Sequence, residues 1–144
     1  MIKLIFVIIF NFSSLTMAND NLRGYQALEN REYKKALYYL SYHANLGDDK
    51  AQYNLGIMYH NLGVDIIMEE LDIDADLEMV ILMQEQAVEY FSKSLPYLKK
   101  VYQMKPQEVS IVQGIAAVYY SLNDMEKHVE YMNILKDLES NSAE

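Results

Sequence analysis

Between Lys50 and Lys93 the chain has no Lys or Arg, yet it has Asp65, Glu69, Glu70, Asp72, Asp74, Asp76, Glu78, Glu85 and Glu89. Seven of these nine carboxylates fall within residues 65–78, and Asp72-Ile73-Asp74-Ala75-Asp76 with Glu78 mimics the start of a calcium loop. Calcium chemistry also requires a glycine at the sixth loop position, for the sharp turn, and a bidentate carboxylate at the twelfth. Leu77 and Met83 stand there instead, so no calcium site is expected. What remains is electrostatic. The cluster either attracts a basic partner segment or is a solvated turn whose aspartates cap the next helix and complement its positive end. The solvated turn is the simpler reading.

Catalytic groups are scarcer still. His43, His60 and His128 lie in different segments with no second ligand at useful spacing, which argues against zinc. With no cysteine there is neither a thiol nucleophile nor a disulfide. No Gly-x-Ser-x-Gly elbow and no phosphate-binding loop occurs. The nine methionines are expected to fill irregular gaps in a core rather than to form an adaptable groove. No enzymatic activity, metal or cofactor is expected.

A formal net charge of -9 disfavours nucleic acid and anionic membrane surfaces as partners, because phosphates require clustered Lys and Arg. The first residues resemble a secretory leader: Lys3, then Leu4-Ile5-Phe6-Val7-Ile8-Ile9-Phe10, then the small-residue cleavage pattern Thr16-Met17-Ala18. The competing reading is a membrane anchor, but Leu4 to Ala18 includes Asn11, Ser13 and Ser14 and falls short of the roughly 20 apolar residues a span needs. Residues 1–18 are therefore expected to be a signal peptide and 19–144 the mature domain, periplasmic or secreted, with no integral membrane segment after cleavage. Only Lys3 among the charged residues is lost, so 11 basic side chains then face 21 acidic ones and the net charge becomes -10.

The elements that carry these residues read as helices. Asn19 or Asp20 can cap a first helix to about Asn30, and Arg31-Glu32 turns into a second that ends near Gly47. Asp48 or Asp49 starts a long third helix with Leu55, Tyr59, Leu62 and Ile66 on one stripe. Asp74 or Asp76 caps a fourth, with Leu77, Ile81, Val88 and Phe91 expected on its inner face. Pro96 is expected to kink that helix without stopping it, and Lys105-Pro106 ends it. Helices over about 107–121 and 124–139 follow and meet at Asn123-Asp124, and Val129, Met132, Leu135 and Leu138 of the last are expected to face inward.

These helices pair. Gly24, Gly56 and Ala116 are spaced by 32 and 60, and Ala36, Ser94 and His128 by 58 and 34. Both series fit one period of about 34 residues if about 26 extra residues lie inside the second pair, lengthening its two helices into a hairpin. Ala44-Asn45-Leu46-Gly47-Asp48 followed by Ala51-Gln52-Tyr53-Asn54-Leu55-Gly56-Ile57-Met58-Tyr59 resembles a Sel1-like repeat, and the whole of residues 20–139 resembles the tetratricopeptide repeat superfamily. The resemblance implies an all-α solenoid of three helix pairs, over about 19–47, 48–106 and 107–140, the second elongated. No Trp opens any repeat, and His128 replaces the usual alanine.

The resemblance also implies a concave surface lined by the first helix of each pair, at Asn21, Tyr25, Tyr53, Ile57, His60, Asn61, Gln113, Ala117 and Tyr120. Tyr offers contact area with a polar tip and Asn pairs with peptide backbone, so this groove suits a protein segment. Lys50 is the only base nearby, which argues against the carboxylate clamp of chaperone-binding members. The expected function is an exported protein–protein interaction or assembly module. The alternatives are a secreted effector that binds a host protein, or a structural subunit that self-associates as a homodimer through the C-terminal helix, which no further helix shields.

Overall fold

Helix ends in this chain are set by local chemistry. The structure, a computed structural model, describes residues 20, 22–72 and 76–141, without the side chains of 70–72. The expected leader, Asn19, Asn21 and Asp74 lie outside the described residues, as do the side chains of Glu70 and Asp72. Six helices and no strand are found among those described: α1 (residues 22–29), α2 (Tyr33–Asn45), α3 (Asp49–Asp72), α4 (Leu77–Met104), α5 (Val109–Ser121) and α6 (Met125–Asn141). None of them is long and apolar enough to cross a membrane.

Aspartates start three of the helices. Asp48, Asp76 and Asp124 each accept a hydrogen bond from the backbone N–H three residues on, at Ala51 (2.8 Å), Met79 (2.9 Å) and Lys127 (3.1 Å). Each satisfies a donor that the first helical turn leaves unpaired. Helices α1, α2 and α5 stop in the same way. A left-handed residue follows each helix (Arg31, Gly47, Asn123) and two backbone N–H groups fold back onto the last turn. These pairs are Arg31→Leu28 with Glu32→Ala27, Gly47→Ala44 with Asp48→His43, and Asn123→Tyr120 with Asp124→Tyr119. That pattern closes a helix C-terminus and reverses the chain within about two residues.

The fold divides into two compact units, one up to Asn54 and one from Leu55, the boundary falling inside α3. In the first unit, Ala36, Leu40, Ala44 and Ala51 are buried. A Cβ at Gly24 would lie 2.6 Å from Leu40 Cδ2, so only glycine allows that approach. Gln52 is buried too: its Nε2 donates to Ala44 C=O at 2.9 Å, and its Oε1 has no partner among the described residues. Ala44 C=O also accepts from Gly47 N–H. Gln52→Met keeps the approximate volume and removes the unpaired acceptor, so urea unfolding should show stability level or raised by up to about 1 kcal/mol. A clear loss would contradict this account of Oε1.

In the second unit, α3 and α4 meet closely at Gly56. Ser94 Oγ donates to Gly56 C=O at 2.7 Å, and Leu98 lies over the missing side chain. Further along the pair, the Phe91 ring covers Gly63, and Tyr59 stacks between Tyr90 and Tyr97 at 6.3 and 5.8 Å. Helices α5 and α6 repeat the first contact: His128 Nδ1 donates to Ala116 C=O at 2.9 Å. Because a carbonyl only accepts, the proton sits on Nδ1. Tyr131 then packs against Tyr119 and Tyr102 at 5.6 and 5.7 Å.

Two expectations about faces hold only in part, for Leu135 and Phe91. On α6 the buried residues are Tyr131 and Leu135, while Val129 and Met132 are exposed. The residues 129, 132, 135 and 138 run in steps of three, which drift by about 60° per step on a helix of 3.6 residues per turn. The face that stays in register is 128, 131, 135 and 138. On α4, Leu77, Ile81 and Val88 share the face of Phe91 but remain exposed, at 76%, 47% and 48%. Burial along α4 begins only at Ala87.

Candidate functional site

Four residues of the expected groove converge. His60 from α3 and Gln113, Ala117 and Tyr120 from α5 line one cleft of about 430 Å³, which Met132 and His128 of α6 complete. Helical spacing explains the grouping on α5, since 113, 117 and 120 recur at four- and three-residue steps and share a face. Tyr120 is 63% exposed although its ring leans on His128 at 5.4 Å. A tyrosine left this open beside an apolar wall offers area and one hydroxyl at small entropic cost.

His60 sits at the cleft's inner end. Its Nε2 shares a 3.0 Å hydrogen bond with Ser121 Oγ, and its ring leans on Phe91 at 5.4 Å. Desolvation there lowers its pKa below the ordinary 6.5. A depressed histidine is protonated first in the unfolded chain as pH falls. Its effect is therefore absent above the unfolded pKa, costs stability as pH drops from about 6.5 toward the folded pKa, and levels off below that. Between about pH 7.5 and 5.5, the chain should lose more stability than His60→Gln does in urea titrations. Equal losses would assign the pH dependence to other groups.

Ile57 and Asn61, of the same unit, do not line this cleft. Asn61 is exposed on α3, and Ile57 is half-buried, its Cδ1 turned to Gly114. Tyr25 and Tyr53 belong to the first unit and are half-buried. Burial, and then the carboxylates of Asp48 and Asp49, push the Tyr25 hydroxyl above its usual pKa. That environment is suited to packing. Among the expected acidic residues, Glu69, Asp76 and Glu78 are exposed and Asp65 is half-buried. Asp76 is the α4 cap.

Sequence reasoning missed Ser121 and a second cleft. Ser121 lies four residues after Ala117, so the α5 wheel could have flagged it. The second cleft, of about 480 Å³, opens between Val64, Ile67 and Met68 of α3 and Val88 and Phe91 of α4, with Tyr120 and Ser121 at its end. No sequence signal announces it, because it depends on where α5 ends beside the hairpin. The first cleft does set the Ser121 hydroxyl against the His60 imidazole, but no carboxylate lines either cleft to orient that ring, and no group of three metal-ligating side chains occurs among the described residues. Comparison with protein-family models, with curated proteins and with solved structures gives no match.

Proposed function

We propose that the chain is an exported, non-enzymatic binding module of tetratricopeptide-like helix pairs that holds a partner segment in the cleft formed by α3, α5 and α6. The observation that carries this reading is the open cleft walled by His60, Gln113, Ala117 and exposed Tyr120, with apolar Met132 as its far side. Such a wall of aromatic, small and amide side chains suits a peptide better than a reacting small molecule. The repeat reading draws support from equivalent contacts. Ser94 bonds to Gly56 C=O, and His128, at the matching place in the next pair, bonds to Ala116 C=O. The Leu40–Gly24 approach has the Leu98–Gly56 approach as its counterpart.

The test is capture of a partner from the native compartment with a photo-crosslinking residue at Ala117, with Tyr38 on α2 as the control site. A crosslink from Ala117 that is absent from Tyr38, and weakened about tenfold by Tyr120→Ala, is the expected result. Tyr120→Ala without effect, together with assembly lost in Ile134→Asp, would instead establish self-association through α6.

A further inference from the structure

We infer that the second cleft, between the distal parts of α3 and α4, receives a basic amphipathic helix from a partner. Its floor is Phe91, and from there Val88, Gln84, Ile81 and Leu77 continue along one face of α4 at three- and four-residue steps. Met68 on the opposite wall is 55% exposed. An apolar stripe that runs from a cleft out along an uncovered helix is a docking surface in search of its own complement. Met68 adds an unbranched, adaptable contact.

Charge selects the occupant. From 51 to 92 there is no Lys or Arg, and Glu69, Glu78 and Glu85 are exposed along the same hairpin. Glu69 and Glu85 each follow a cleft-lining residue, Met68 and Gln84, by one position. At about 100° per residue, Glu85 stands about 110° and Glu69 about 145° round its helix from the middle of the lining residues, so both add to the negative field of the hairpin from outside the cleft. A segment with leucine-like residues on one face and Lys or Arg on the other meets both features at once. A helix fits better than an extended strand, because a wall of helices has no free backbone edge to pair with, whereas ridges of a third helix enter the groove between two. The same face of a second copy carries the same sign of charge and would be repelled.

The probe is a designed peptide roughly five helical turns long, with leucine on one face and lysine on the other, titrated into the purified chain by fluorescence anisotropy. A scrambled peptide of equal composition and a glutamate-for-lysine peptide serve as comparisons. The expected result is saturable binding of the amphipathic basic peptide alone, weakened by salt and by at least about tenfold in Val88→Asp or Glu69→Lys/Glu85→Lys. Val88, Glu69 and Glu85 are exposed, so these variants should keep the wild-type helical spectrum and unfolding midpoint. Equal binding of the scrambled peptide, or unchanged affinity in Val88→Asp, overturns the inference. So does a dimer, or adsorption to neutral phosphatidylcholine vesicles, that Val88→Asp abolishes. Because α6 takes no part in this cleft, Met132→Asp should leave peptide binding intact, which separates this site from the one proposed above.

Discussion

Leu98→Ala should lower stability by about 2–5 kcal/mol, a large share of what a domain of this size possesses. Leu98 is fully buried. It fills the space over Gly56, where a Cβ would stand 2.6 Å from Leu98 Cγ, and reaches Gly114, where a Cβ would stand 3.5 Å from Leu98 Cδ1. One side chain thus joins α3, α4 and α5. Truncation loses its transfer free energy and leaves a cavity that three rigid helices cannot readily close. The same geometry predicts non-additivity. Gly56→Ala alone overpacks this crossing, at about 1–3 kcal/mol. In the Leu98→Ala background the two atoms that its Cβ would strike, Leu98 Cγ and Cδ2, are gone, and the third-nearest, the backbone N of residue 98, is at 3.4 Å. The second substitution should then cost little, or help by filling space and adding helix propensity. A urea double-mutant cycle measures this, and purely additive losses would show that Leu98 does not fill the space over Gly56.

Pro96→Ala should act in the opposite direction, raising stability by about 2 kcal/mol. Pro96 lies inside α4 with eight helical residues after it, and it is exposed. It donates no backbone hydrogen bond to Ser92 C=O, and its ring crowds that carbonyl; the usual cost in a helix interior is about 3 kcal/mol relative to alanine. Proline returns roughly 0.4–1 kcal/mol by restricting the unfolded chain, which sets the net gain. Thermal unfolding of the variant should shift upward by several degrees, about 2–8 °C per kcal/mol at this chain length. Destabilisation would carry its own meaning. It would show that the path imposed at Pro96 is what seats Ser94 and Leu98 against Gly56.

Helix type and limits were legible because they rest on neighbours in sequence. Asp48, Asp76 and Asp124 cap the helices they precede, Gly47 and Asn123 close the helices they follow, and Lys105 ends α4. The sequence intervals single out Gly56 with Ser94 and Ala116 with His128 as matched positions, and hydrogen bonds join each of these two pairs of residues. His128 in place of alanine is accounted for by the carbonyl it bonds.

What each helix face touches was not legible. On α6 the 3.6-residue period already favours Tyr131 with Leu135 over Val129 with Met132, and packing beside α5 buries that pair. Leu77, Ile81 and Val88 match Phe91 in pattern, yet Phe91 packs onto α3 at Gly63 while Val88 borders an open cleft. The sequence by itself determined an all-helical chain and its starts and stops, because caps, glycines and periodicity act over a few residues. The tertiary structure alone decided the two clefts, the depressed His60 and the bare stripe on α4, because burial depends on how far neighbouring helices extend and no local signal encodes that length.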